Sequence, residues 1–349
     1  MKTMLLFLTG LFIIFGAACS PATTTFVPPS GGSSGVDPVV LLTEAPPFLP
    51  PTRTLPPTGP VSASASPAAA KTTPAPVGSA AQIGATATRP APTSQATTNP
   101  LLTLDADSWQ KLPIIPLVSE RMLEIYQLGQ ELGNNPHAFS KIGDCGSTPA
   151  WFLGDFDRGP SYYRLGKYQY LEAVIQQFHG SFDRTSLAAR AGFNASALFV
   201  PIWADRNSCG ADESPLVCEY RVNRPVIAFI MLGTNDVYHP EEFEPQMRKI
   251  IEYSLAQGVI PILTTKADNK EGDGSINATI ARLAQEYQVP LWNFYAAVDP
   301  LANNGLQEDM AHLSWGRNLF DDPEAMSKAW PQRNLTALQA LDAVWQKIK

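Results

Sequence analysis

Charge is scarce in this chain, and basic charge is the scarcer of the two signs. Its 349 residues carry 25 Lys and Arg against 32 Asp and Glu, a net charge of -7. No basic stripe is present to neutralise a phosphate backbone, which excludes nucleic-acid binding. Long hydrophobic runs are missing too: the apolar stretch from Met4 to Phe15 is too short to cross a bilayer. Histidine is rare, and His137, His179 and His239 show no metal-ligand spacing with one another or with the cysteines. The segment Asp268-Asn269-Lys270-Glu271-Gly272-Asp273-Gly274 has the look of a calcium loop, but Lys270 stands where an oxygen ligand is required, so it reads as a polar turn. No phosphate-cradling glycine loop is present. Neither a metal nor a cofactor is expected.

What is there begins with an export signal. Lys2, the apolar run, and then Gly16, Ala17, Ala18 and Cys19 make a charged start, a hydrophobic centre and a small-residue cleavage site. A cysteine directly after small residues resembles the lipobox of bacterial lipoproteins, with Gly16 departing from the apolar residue usual at that position. The resemblance implies a lipidated Cys19 on a protein anchored to the outer side of the membrane. Residues 20–105 are dominated by Pro, Thr, Ser, Ala and Gly and show no apolar periodicity, so they cannot bury enough surface to offset their ordering entropy and read as a stiffened tether. Residues 106–349 are the part expected to fold. With Cys19 lipidated, Cys209 and Cys218, close together in a polar stretch, are the natural disulfide pair, and Cys145 is the odd cysteine out.

Met122, Ile125, Leu128 and Leu132 recur at helical spacing and stop at Gly133. Phe139 to Asp144 reads as a strand, and Leu171, Ile175 and Phe178 mark a second helix. Val226 to Leu232 is a continuous apolar run suited to a strand buried on both faces. Phe243, Met247, Ile250, Ile251 and Leu255 predict a helix capped by Gly258, and Val259 to Thr265 another buried strand. Ile276, Ile280, Leu283 and Tyr287 repeat the helical pattern before a strand from Val289 to Phe294, and Leu335, Leu338, Leu341, Val344 and Trp345 close the chain with a helix. Alternation at these lengths predicts an α/β domain with a parallel sheet in three α/β/α layers, whose sites form at the C-terminal ends of strands. Trp151, Trp203 and Trp315 are read as core or rim packing.

The unusual polar residues fall at such strand ends: Gly143-Asp144-Cys145, Gly233-Thr234-Asn235-Asp236, and Asp309 three residues before His312. Together with Gly192 in Ala191-Gly192-Phe193-Asn194, they resemble, in order and context across roughly residues 137–349, the motif blocks of the SGNH (GDSL-type) hydrolases. That resemblance implies the SGNH, flavodoxin-like architecture. His312 is then the base and Asp309 orients it. Asn235 and the amides of Gly192 and Cys145 form the oxyanion hole, with Asp144, Gly233 and Asp236 in support. The family's nucleophile is serine, and here Cys145 stands in its place.

Three readings stay open at that position. The thiol is the nucleophile, acidified at a helix N-terminus beside His312; or the domain has lost hydrolysis and keeps a carbohydrate-binding cleft; or the nucleophile has moved to Ser147, whose side chain a helix would turn away from the cleft. The first predicts an extracytoplasmic esterase with a Cys145, His312, Asp309 triad acting on a small-molecule or glycan ester, an acyl or acetyl ester on a carbohydrate. An O-acyltransferase on the same fold is the further alternative. Membrane contact is expected only through the lipid, and nothing points to a protein partner.

Overall fold

The computed structural model describes residues 108–349; the signal segment, Cys19 and the tether lie outside the described residues. The chain forms strands β1 (Asn135–Gly143), β2 (Tyr163–Arg164), β3 (Pro225–Met231), β4 (Ile260–Thr264), β5 (Leu291–Trp292) and β6 (Asn318–Leu319). Its helices are α1 (Arg121–Glu131), α2 (Glu172–Gln177), α3 (Pro215–Asn223), α4 (Pro240–Ala256), α5 (Ser275–Tyr287), α6 (Phe294–Val298) and α7 (Ala329–Ile348). The main sheet is wholly parallel, in the order β1-β3-β4-β5, and β2 pairs with β6 in a small separate ladder. Helices pack against the sheet on both faces, giving the α/β architecture in three layers.

Each residue of β3 is buried, as a strand covered on both faces requires. Pro225 is tolerated because it is the strand's first residue. On α4 the five predicted apolar positions are all buried, and on α5 Ile276, Ile280 and Leu283 are buried while Tyr287 is partly so. Gly258 takes a φ of +64°, and a β-carbon there would sit 2.3 Å from Gly129 of α1, so the turn into β4 and this helix touch backbone to backbone. The strand expected over Val289 to Phe294 is only two residues long. Asn293 ends it: buried, its side chain accepts from the Ala296 amide and opens α6.

The outer edge of β1 determines where a site can form. Gly143 makes a parallel bridge to Ala189, through Gly143 N–H to Ala188 O (3.1 Å) and Arg190 N–H to Gly143 O (3.1 Å). After β1 the chain therefore visits one flank of that strand and then crosses to the other flank to lay down β3. A reversal of this kind leaves a crevice outside the carboxyl ends of the two strands. Cys145 follows one strand and Asn235 the other.

Candidate active site

The crevice holds a cavity of about 160 Å³ lined by Asp144, Cys145, Gly192, Asn235 and His312, with Lys266, Trp330 and Arg333 also on its wall. Five residues singled out in separate stretches of sequence are thus brought together. Asp309 stands behind His312, its Oδ2 2.5 Å from Nδ1. Ser147 is buried outside the cavity with its Oγ against Gly143, which leaves the shifted-nucleophile reading without geometry.

Local structure explains each placement. Asp309 and His312 form the tip of a small antiparallel turn closed by Gln307 N–H to His312 O (2.8 Å) and a bridge between Leu306 and Leu313. Asp309 Oδ1 accepts from the amides of Ala311 (3.1 Å) and His312 (3.0 Å). Met310 between them has a φ of +56°, a conformation that is uncommon for a residue with a β-carbon and recurs at functional turns. Partial burial alone would raise the Asp309 carboxyl, but the His312 side chain and the two amides outweigh it and hold the group at about 2.

On the opposite wall, Asp236 accepts from Gly233 N–H (2.9 Å) and Ala195 N–H (2.8 Å), fastening the Gly192 segment to the end of β3. Burial pushes its carboxyl up to about 6 against those two bonds. Asn235 donates one amide hydrogen to Phe193 O (3.0 Å), which positions the side chain and leaves the second hydrogen for another acceptor. Gly192 itself has a φ of +82°.

One expectation needs correction. Cys145 does not open a helix. It begins a 3-10 turn of three residues, Cys145–Ser147, capped by Asp144 Oδ1 accepting from Gly146 N–H (2.9 Å). A single turn has little of the aligned peptide dipole by which a helix N-terminus acidifies a thiol. Burial also raises the Asp144 carboxyl, opposed by Arg333 and the Gly146 amide.

Sequence reasoning missed three residues. Arg333 of α7 is only 8% exposed and reaches under the Cys145 turn, donating from Nη1 to Gly146 O (2.8 Å). Its guanidinium lies 4.8 Å from the Phe152 ring centroid and 5.4 Å from that of Trp330. The signal was present, since Arg333 lies at helical spacing with Ala337, Leu341 and Val344, a charge on an otherwise apolar stripe. Lys266 is buried after β4, its Nζ bonded to Asp268 Oδ1 (2.8 Å), Asp268 O (2.8 Å) and Glu271 Oε2 (2.5 Å). This ammonium occupies the centre of the acidic segment, so the polar-turn reading has a structural cause. Glu219, fully buried in α3, accepts from Ser140 Oγ (2.5 Å), Arg184 Nη1 (2.8 Å) and Leu187 N–H (2.8 Å), and so holds the segment leading to Gly192 against β1.

The disulfide joins Cys209 to Cys218, so neither is bonded to Cys145. Glu213, beside that pair, is bound by Arg221, and with both sulfurs in the disulfide the three residues do not make a metal site. None of the three flagged tryptophans is core. Trp151 (45% exposed) stacks on Trp330 at 5.5 Å, and with Trp315 (64% exposed) it flanks a second cleft that meets the cavity at Trp330. Trp203 is also exposed and does not line the cavity.

No family model and no curated protein sequence matches this chain. Among solved structures it is similar to a GDSL-like lipase from Bacteroides thetaiotaomicron, at 14% identity and a TM-score of 0.36 over 64% of this chain and 98% of that one.

Proposed function

We propose that residues 106–349 are an ester hydrolase that uses Cys145 as nucleophile, His312 as base and Asp309 as the residue orienting it. One observation carries the reading: Cys145, Gly192, Asn235 and His312 line a single cavity, and Asp309 is bonded to the far nitrogen of His312. A domain that only binds has no use for a carboxylate-oriented imidazole beside a thiol. In the reaction His312 takes the thiol proton, the sulfur attacks the ester carbonyl, and Asn235 with the amides of Gly192 and Cys145 donates to the oxyanion. The intermediate expels the alcohol, protonated by His312, and leaves a thioester. Water deprotonated by His312 then releases the acid.

A cavity of about 160 Å³ suits a short acyl group such as acetyl, being well below the several hundred Å³ that larger ligands occupy. The exposed indoles of Trp151 and Trp315 beside it support a carbohydrate as the alcohol part, since indole faces stack on sugar rings. The Cys209–Cys218 disulfide supports an exported protein, with lipid on Cys19 as its anchor.

Hydrolysis of p-nitrophenyl acetate by wild type, Cys145→Ala and Cys145→Ser tests the reading. Turnover by wild type, an acetyl adduct on Cys145 in quenched reactions, and at least a hundredfold loss in the alanine variant are expected. Silence from wild type with strong turnover by the serine variant would mean a disabled esterase. Silence from both would mean a binding module, and acetyl transfer to an added sugar in preference to water would mean a transferase.

A further inference from the structure

A thiol works as a nucleophile through its anion, and an ordinary cysteine is mostly protonated at neutral pH. The short turn that starts at Cys145 supplies little dipole to change that. Something else must hold the sulfur ionised if it is to attack.

We propose that Arg333 is the positioning residue that keeps Cys145 in its thiolate form, its guanidinium being fixed beneath the nucleophile turn by the carbonyl of the very next residue, Gly146. The placement is built and not incidental. Arg333 is 8% exposed, donates to Gly146 O at 2.8 Å and to Met231 Sδ at 3.2 Å, and lies over the faces of Phe152, Phe294 and Trp330. Its Nε is buried with no hydrogen-bond partner, and its Nη atoms bond to Gly146 O and Met231 Sδ rather than to a carboxylate. A buried cation with a donor to spare is costly, and structures keep such groups where the charge has a use. Burial lowers the guanidinium to about 10, with Asp144 and Cys145 acting to raise it, so it remains charged across neutral pH.

The other charges around the thiol do not do this work. Lys266 is committed to Asp268 and Glu271, and Lys270 lies over the Tyr238 ring. Asp144 and Asp236 act in the opposite direction, and burial raises both, which weakens their opposition. His312, with Asp309 behind it, is the second cation once it has taken the thiol proton. Arg333 is the one whose charge precedes proton transfer. Gly146 is part of the device: a β-carbon there would stand 3.2 Å from both Arg333 Nη1 and Asp144 Oδ1, wedged between the two charges.

This assignment rests on Cys145 as the nucleophile, but its test needs no turnover. The full chain, with its disulfide intact, is alkylated with iodoacetamide across pH 5 to 10, and modification of Cys145 is followed by peptide mass spectrometry. In wild type the rate should inflect at least about one unit below the ordinary thiol value of about 8.5. Arg333→Met should move the inflection up by about a unit, slowing alkylation near pH 6.5 about tenfold, while Arg333→Lys keeps most of the depression. His312→Ala, with Arg333 intact, should still inflect below the ordinary value. An ordinary inflection in wild type overturns the proposal whatever the variants do. So does a folded Arg333→Met that titrates like wild type, or a His312→Ala protein that returns fully to the ordinary value. If Arg333→Met does not fold, Arg333→Gln, which keeps a donor for Gly146 O, takes its place under the same criteria. A depressed, Arg333-dependent inflection without ester turnover supports this assignment while sinking the esterase reading.

Discussion

In the proposed mechanism, Asp309 decides which nitrogen of His312 acts as the base. Its Oδ2 faces Nδ1 at 2.5 Å, and a carboxyl held at about 2 is ionised throughout the working range, which favours the proton on Nδ1 and, in the proposed mechanism, gives Nε2 the role of receiving one from the thiol. Asp309→Asn keeps the shape and reverses that preference. Its kcat for a short-chain ester should fall by between a hundredfold and ten-thousandfold with little change in KM, read from steady-state kinetics. Because folding depresses this carboxyl below its ordinary 3.8, whatever it adds to stability is present above about pH 4 and is lost as pH falls towards about 2. Lys141 is lowered as well, but there the shift marks a penalty on the charged form and not a gain. Fully buried in β1 with Nζ on Phe182 O (2.6 Å), it is lowered from 10.5 to about 7 by burial, with Arg184 adding to the effect. Between those values the unfolded chain holds a proton that the folded chain has shed, so stability should rise with pH across that window, and the penalty stands in full below about 7. Lys141→Met should therefore stabilise the domain by about 1 to 3 kcal/mol at pH 6 and by less at pH 10. Chemical denaturation at the two pH values checks it; equal shifts at both would show that Lys141 is neutral in the fold.

Among the elements, α3 does most to position the site without entering it. Glu219 gathers Ser140 of β1, Arg184 and the Leu187 amide onto one buried carboxylate, and so fixes the segment that bridges Gly143 and runs on to Gly192. Glu219→Ala should cost about 3 to 5 kcal/mol, because Arg184 and three other donors, Ser140, Leu187 N–H and Asn223, lose their acceptor. Activity should fall further than stability accounts for as Gly192 drifts; denaturation midpoints and kcat on one preparation test both, and full activity in a folded variant would remove α3 from any account of the site. What was legible from sequence divides along the same physical line. β3, β4, α4, α5 and α7 announce themselves because each buries a local pattern, and the polar motifs stand out because they interrupt such patterns at strand ends. β5 ended early because Asn293 satisfies neighbouring backbone groups, a tertiary effect that no apolar count contains. Cys145 opens no helix because Asp144 caps a turn that stops after three residues, which the strand-end motif alone does not show. Glu219 and Arg333 meet their partners across 79 and 187 residues of sequence, and those pairings exist only once the sheet has formed.

At the scale of the whole molecule, the first described residues are tied to the cavity. Trp109 is buried, contacts Tyr295 edge to face at 4.9 Å, and offers its carbonyl to Asn293 Nδ2 (2.9 Å). Leu112 O accepts from the same Nδ2 (3.0 Å), and Ile114 O accepts from Asn293 N–H (3.1 Å). Asn293 Oδ1 in turn accepts from Thr265 Oγ1 (2.9 Å), and Thr265 lines the cavity. The stretch from 109 to 114 is thus a strap linked to the cavity wall through Asn293. A protein beginning at residue 106 should match the full chain in thermal midpoint and in turnover of a soluble ester, since the residues that line the cavity all lie after that point. One beginning at residue 115 should lose about 3 to 5 kcal/mol, from the Trp109 surface and three hydrogen bonds left unmade around a buried side chain. Melting curves and ester kinetics on the two truncations decide the matter. Loss of stability already in the longer protein would mean that the Pro- and Thr-rich segment packs on the domain and is not a tether, and the anchoring role argued for it would have to be abandoned.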